Sequence, residues 1–156
     1  MGSIYALHRG EISRLFPNIT IPNAICFSPD GATGYFADTA ENVLYRVALD
    51  SRTGLPTGAP DVLLRHRDVG GLDGAVVDAD GLIWNARWGG GCVDVYSPQG
   101  IRLRSLQVPA RQSSCPAFVG AGLSRDRARR DRARSRRCRR NSRLRHRARS
   151  RSHSVW

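Results

Sequence analysis

The sequence predicts an all-β fold built as a β-propeller, and two observations support this prediction. Short segments rich in Val, Ile, Tyr and Phe alternate with turn signals at spacings of about 8 to 12 residues, as in sandwiches, barrels and propellers. A unit of four such segments then repeats, since the turn at Asp30-Gly31 recurs 50 positions later at Asp80-Gly81. Repetition of four-strand units every 40–50 residues or so is typical of propeller blades, whereas a sandwich has no reason to repeat.

The predicted strands follow one another in chain order, and turn-favouring residues separate them. Turn signals stand at Pro29 to Gly31, Asp50 to Gly54, Asp80-Gly81 and Pro98 to Gly100, where Pro, Gly and Asp favour tight reversals of the chain. The predicted strands cover residues 3–8, 12–16, 24–29, 33–38, 43–49, 62–65, 74–79, 82–87, 92–97, 101–108 and 115–120.

The repeat also singles out two polar residues, Asn23 and Asp73, which are 50 positions apart and each precede a predicted strand. In a propeller the first strand of each blade lines the central channel, so equivalent residues of neighbouring blades converge there. Two oxygen ligands at a channel mouth suit a hard cation such as Ca²⁺. Alternatively, each side chain closes an Asx turn before its strand. The spacing alone leaves both interpretations open.

Charge divides the chain into two segments. Residues 1–122 contain 10 Arg and 11 acidic residues, whereas residues 123–156 contain 15 Arg and 2 acidic residues, and the chain has no Lys. The first segment can bury a small core. The second has too few apolar side chains to offset the entropy of ordering. We therefore predict one folded region over residues 1–122 and a disordered Arg-rich tail over residues 123–156.

Membrane insertion and secretion are not expected. No apolar run approaches the roughly 20 residues that are needed to cross a bilayer. The first apolar stretch, Ile4 to Leu7, is too short for the core of a signal peptide. We expect a cytoplasmic protein with no membrane partner.

Five segments occur together in an order that is specific to one family. They are IPNAICFSPDG (21–31), YFADT (35–39), LDGAVVDADGLIWNARWGGG (72–91), YSPQG (96–100) and SSCPAFVG (113–120). This set resembles the gluconolactonase–regucalcin family, also called the senescence marker protein family. The resemblance covers roughly residues 3 to 124 and implies about two and a half blades of a six-bladed propeller.

The resemblance also implies a metal site and an activity, which is the hydrolysis of sugar lactones. The family's single divalent cation (Ca²⁺, or alternatively Zn, Mn or Fe) is held by residues that match Asn23 and Asp73. Asp73 further inherits the role of general base, because lactone opening needs a polarised carbonyl and an activated water. The family's Glu ligand and its sugar-binding Arg and Asn belong to blades upstream of residue 1. We therefore expect a fragment with weak metal binding and little or no activity.

The open edges of an incomplete propeller predict self-association, because unpaired strands invite pairing between chains. The tail over 123–156 has two explanations. Arg-rich segments bind nucleic acid through phosphates, and this reading makes the chain an Arg-tailed nucleic-acid-binding protein. Alternatively, out-of-frame reading of G+C-rich DNA yields similar runs of Arg, Ala and Ser, and our hypothesis is that the tail arises from such a frameshift. The nucleotide sequence near codon 123 distinguishes them, since another frame should then encode an apolar strand.

Overall fold

The computed structural model describes residues 1–119, and these residues form ten β-strands in three sheets. The strands are β1 (Gly2–His8), β2 (Glu11–Ile19), β3 (Pro22–Phe27), β4 (Thr33–Asp38), β5 (Val43–Ala48), β6 (Asp61–Arg65), β7 (Gly71–Val77), β8 (Ile83–Trp88), β9 (Cys92–Tyr96) and β10 (Arg102–Gln107). This confirms the all-β prediction. Among the described residues no helix is long and apolar enough to cross a membrane.

The chain divides into two compact units, Met1–Ala117 and Phe118–Trp156. All ten strands belong to the first unit. Only residues 118–119 of the second unit are described, so the predicted tail over 123–156 lies outside the described residues.

Two of the sheets are four-stranded antiparallel meanders, with strand orders β3-β4-β5-β6 and β7-β8-β9-β10. The third is the hairpin β1-β2. Sequential pairing follows from the short turns, because antiparallel neighbours need only a few connecting residues. Each meander is one propeller blade, so the described residues form about two and a half blades, as predicted.

The two complete blades share a bulge near the start of their innermost strands. The register of β3 on β4 shifts between Asn23 and Cys26, and that of β7 on β8 shifts between Leu72 and Ala75. Ala24, inside the first bulge, has a φ of 54°. A bulge adds one residue to a strand and re-aims the adjacent side chains. The internal repeat therefore extends from sequence to backbone geometry.

Strand pairing continues on the far side of both bulges. As a result β3 begins at Pro22 and β7 at Gly71, earlier than the predicted starts at 24 and 74. Pro22 pairs with Asp38, and Gly71 pairs with Trp88. Asn23 and Asp73 were expected before their strands, and the structure places them within the strands.

The predicted eleventh strand is not formed over its described residues, 115–119. This segment starts beside β7, where the Gly74 amide donates to the Ser114 carbonyl at 2.7 Å. That is where a third blade would begin. A strand also needs a continuous ladder with a neighbour, and residues 115–119 have none within the described part of the chain.

Two apolar clusters stabilise the sheets. The larger cluster lies between the two complete blades and contains Ala24, Cys26, Tyr35, Ala37, Leu44, Leu72, Ala75, Ile83 and Tyr96. The smaller contains Ile4, Ile19 and Phe36 and joins the hairpin to the first complete blade. Phe16 and Tyr45 stack on either side of Phe36, with ring centroids 4.9 and 5.1 Å away. Burial of these faces removes apolar surface from water at the seams between blades.

Candidate functional site

Asn23 and Asp73 lie at the bulges of the innermost strands of the two complete blades, one register position apart. Asn23 pairs with Ala37 just before its bulge, whereas Asp73 lies inside its bulge, between the paired residues Leu72 and Ala75. Each stands at the bulge of its strand, and each side chain is half-buried. Ala24 and Leu72, their respective neighbours, are buried in the core cluster between the blades. The core thus packs β3 against β7 at the level of the two predicted ligands.

A hydrogen-bond relay through Thr39 connects the two positions. The Asn23 amide nitrogen, Nδ2, donates to Thr39 Oγ1 at 2.9 Å, and the Thr39 hydroxyl donates to the Leu72 carbonyl oxygen at 2.6 Å. The Leu72 amide donates in turn to Asn42 Oδ1 at 2.9 Å. The turn between β4 and β5 therefore holds both polar groups of the residue that precedes Asp73.

The backbone of Asp73 is fixed from two further directions. The buried Asn85 side chain donates to the Asp73 carbonyl at 2.7 Å. The next residue, Gly74, accepts no side chain, because a Cβ there would lie 2.7 Å from both the Cβ and the Sγ of Cys115. This close approach explains why the Asp of the Asp-Gly motif is followed by glycine.

The oxygen atoms of the two side chains remain available. Within residues 1–119 neither the Asn23 Oδ1 nor the Asp73 carboxylate has a hydrogen-bond or ion-pair partner. Neither side chain closes an Asx turn in the structure, although the sequence left that alternative open. Over the same residues no group of three or more His, Cys, Asp or Glu side chains is arranged to hold a metal ion. Their role as metal ligands stays a prediction.

Asp38 anchors the chain that leads into β3. Its side chain is buried and accepts backbone hydrogen bonds from Thr20 at 2.6 Å, Ile21 at 3.0 Å and Ala40 at 3.1 Å. Burial alone would raise the pKa of the Asp38 carboxyl, but the three amides outweigh this effect and lower it. The ionised carboxylate therefore holds the connection from β2 to Asn23 in place.

Arg87, on β8, supplies a buried charge in the second complete blade. Its side chain is 0% exposed and donates to the Gly70 carbonyl just before β7. The Asp94 carboxylate, 3.9 Å from Arg87 Nε, offsets this charge and accepts a hydrogen bond from the Tyr96 hydroxyl at 3.1 Å. Burial, followed by the positive charge of Arg87, lowers the pKa of His66 nearby. This network sets the start of β7, and hence the position of Asp73.

The predicted site residues did not include Thr39, Asn42, Arg87 or Asp94. Arg87 and Asp94 carried a usable signal, because each is a charged residue within a predicted strand that is otherwise mainly apolar. Thr39 and Asn42 carried none, because they are ordinary turn residues in sequence and act only through long-range contacts with β7.

The chain is similar to known proteins of one family. A family model described as "SMP-30/Gluconolactonase/LRE-like region" matches residues 1–125. A putative sugar lactone lactonase of Rhizobium meliloti (strain 1021) is 59% identical over 126 residues, which are 80% of this chain and 42% of that protein. The L-arabinolactonase of Azospirillum brasilense is 38% identical over 125 residues, which are 78% of this chain and 41% of that protein.

Solved structures of the same family are also similar to this chain. A calcium-binding protein, regucalcin, from Agrobacterium tumefaciens str. C58 is 54% identical, with a TM-score of 0.75 over 78% of this chain and 42% of that one. A gluconolactonase from Xanthomonas campestris is 27% identical, with a TM-score of 0.63 over 74% of this chain and 37% of that one. The chain spans about two fifths of the length of the curated relatives described above.

Proposed function

Because the chain belongs to the SMP-30/gluconolactonase/LRE-like family, we propose that it carries part of the active site of a metal-dependent sugar-lactone hydrolase. The observation that carries this proposal is the pairing of Asn23 and Asp73. They stand at the bulges of neighbouring blades, and the Thr39 hydroxyl links the Asn23 amide to the carbonyl of Leu72, the residue before Asp73. Their side-chain oxygen atoms have no partners in the described residues. The lactonase names of two relatives support the substrate class.

The chemistry of the donor atoms fits a hard divalent cation. An amide oxygen and a carboxylate are oxygen ligands of the kind that Ca²⁺ binds, and the similar regucalcin from Agrobacterium tumefaciens is a calcium-binding protein. Asn23 Oδ1 and the Asp73 carboxylate would hold the ion. A bound divalent cation supplies Lewis-acid polarisation of an ester carbonyl and lowers the pKa of a coordinated water. Zn, Mn and Fe stay alternatives to Ca²⁺.

The protein's own part in the reaction is proton transfer and positioning. We propose that the Asp73 carboxylate takes a proton from the attacking water as its oxygen bonds to the lactone carbonyl carbon. The bond between that carbon and the ring oxygen then breaks, and the ring oxygen takes up a proton to become a hydroxyl group. The product is the open-chain hydroxy acid. Asn85 assists this step because its side-chain amide donates a hydrogen bond to the Asp73 carbonyl and so fixes the Asp73 backbone.

We expect the activity of this chain to be low. Two oxygen ligands are few for Ca²⁺, which takes about six to eight, so metal affinity should be weak. Over residues 1–119 no three His, Cys, Asp or Glu side chains are grouped so that they could hold a metal ion. Positioning of the sugar needs contacts beyond these residues, and poorly positioned substrates lose much of the rate.

The test is the hydrolysis of D-glucono-1,5-lactone and L-arabinono-1,4-lactone, followed by pH-stat with the spontaneous rate subtracted. The purified chain is assayed with and without added Ca²⁺ or Mn²⁺. Asp73→Asn should abolish any metal-dependent rate, because the amide that replaces the carboxylate cannot take up the proton. Asp61→Asn is the matched control, since Asp61 is an exposed carboxylate on β6.

A metal-dependent rate that Asp73→Asn removes and Asp61→Asn leaves intact would support the assignment. An equal rate in the wild type and Asp73→Asn would refute the general-base role. No rate above background at any metal concentration would refute catalysis by this chain.

A further inference from the structure

The turn between β4 and β5 contains a side chain that bonds to one predicted metal ligand, Asn23, and to Leu72, the residue before the other. Thr39 accepts a hydrogen bond from Asn23 and donates one to the residue before Asp73. We propose that Thr39 is a positioning residue that selects the metal-binding orientation of the Asn23 side chain and sets the spacing between Asn23 and Asp73. This inference rests on the metal site of the proposed function.

The direction of the two hydrogen bonds carries the argument. A carbonyl oxygen can only accept, so the Thr39 proton must point to the Leu72 carbonyl at 2.6 Å. The Thr39 oxygen is then left to accept, and the atom that Asn23 presents to it at 2.9 Å must be the NH₂ group. The other end of the Asn23 amide is the oxygen. The relay therefore decides which of two nearly isosteric amide orientations is adopted.

Thr39 itself is held firmly enough to impose this choice. Its amide donates to the Ile21 carbonyl at 3.0 Å, and its own carbonyl accepts from the Asn42 amide at 3.2 Å. Its methyl group lies close to Gly71, where a Cβ would approach Thr39 Cγ2 to 2.7 Å. The hydroxyl is thus fixed by backbone bonds on both sides and by packing against β7.

The second consequence concerns the distance between the blades. Asn23 belongs to β3 and Leu72 to β7, so a single hydroxyl joins the innermost strands of two blades. Groups that orient a metal ligand from outside the coordination sphere are worth about 10- to 100-fold in metal affinity. We expect the Thr39 hydroxyl to contribute within this range.

The experiment measures Ca²⁺ and Mn²⁺ affinity by isothermal titration calorimetry on the full chain, with the melting temperature of each variant recorded in parallel. Thr39→Val keeps the shape and removes the hydroxyl, and it should weaken binding by about 10- to 100-fold. Thr39→Ser restores the hydroxyl and should bind within about 3-fold of the wild type, because a seryl hydroxyl can make both bonds. Thr39→Ala provides a second hydroxyl-free variant if Thr39→Val fails to fold.

The matched control is Thr57→Val. Thr57 is exposed, and its hydroxyl donates to the Ala48 carbonyl at 3.3 Å in the loop between β5 and β6. It should leave metal affinity unchanged. A purely structural role for Thr39 would lower the melting temperature in Thr39→Val and leave the affinity of the folded protein unaltered.

The outcomes separate this inference from the proposed function. Wild-type affinity in Thr39→Val, or equal weakening in Thr39→Ser and Thr39→Val, overturns the positioning role while the metal site stands. An absence of Ca²⁺ and Mn²⁺ binding in the wild-type chain overturns the metal site and the positioning role together.

Discussion

Replacing Asp38 by Asn tests whether a buried carboxylate holds the entry to β3. Asp38 is 3% exposed, and its two oxygens accept three backbone hydrogen bonds at 2.6, 3.0 and 3.1 Å. An Asn side chain has nearly the same volume but only one acceptor oxygen. Its NH₂ group would face backbone amides that are themselves donors. The substitution therefore removes charge and acceptors without leaving a cavity.

The expected loss of stability follows from these bonds. Hydrogen bonds to a charged group contribute about 1.5–3 kcal/mol each, and those between neutral groups about 1 kcal/mol. Asn loses at least one bond at Asp38 and makes the others neutral. Since the residues that donate are exposed enough for water to replace part of the loss, we expect Asp38→Asn to cost about 2–4 kcal/mol. Urea denaturation at pH 7 measures this difference.

The pH dependence gives an independent check with a defined sign. Three amides lower the pKa of Asp38 in the folded protein, so the native state holds fewer protons than the unfolded state, in which the pKa is about 3.9. The stabilisation is fully present above the unfolded pKa and is lost as the pH falls through the folded pKa. The gap between wild type and Asp38→Asn should therefore narrow as the pH is lowered from 5. A cost below about 0.5 kcal/mol at pH 7, typical of surface changes, would refute the reasoning. A stability difference between wild type and Asp38→Asn that stays constant below pH 5 would refute it as well.

Two other substitutions test the neighbourhood of Asp73 by urea denaturation. Gly74→Ala places a Cβ 2.7 Å from Cys115 and should cost about 1–3 kcal/mol of stability. Gly58→Ala is the control, because no atom lies within 4 Å of its Cβ, and it should be close to neutral. Equal losses of stability in the two variants would exclude steric crowding as the cause. Arg87→Met removes the buried one of two cations near the Asp94 carboxylate, since Arg102 Nη1 remains 3.7 Å away, and should therefore cost less than the roughly 3–5 kcal/mol of a buried charge left wholly unpaired. Adding Asp94→Leu should recover much of that cost, and a strictly additive double variant would show that the two charges do not interact.

The sequence was sufficient to predict the blades, because each blade is a local object. Its strands are consecutive, its turns carry Asp, Gly and Pro, and strand alternation is visible within a few residues. The repeat then aligned Asn23 with Asp73, and both strands have a bulge there, but the register displaces the two residues by one position: Asn23 is paired before its bulge, whereas Asp73 lies inside its own. The misplaced strand starts have the same local origin. A bulge interrupts the alternation, so the strand pattern is recognisable in the sequence only after the bulge.

The contacts between blades could not be predicted in this way. Thr39 acts on Leu72 across 33 positions of sequence, and Asn42 acts on the same residue across 30. Nothing in a single sequence couples such residues, because each is an acceptable turn residue by itself. Yet these contacts fix the peptide bond before Asp73. Without them, nothing local in the sequence would distinguish Asp73 from any other Asp that precedes a Gly. The repeat therefore predicts which residues are the candidate ligands, whereas contacts between the two blades determine how these residues are arranged.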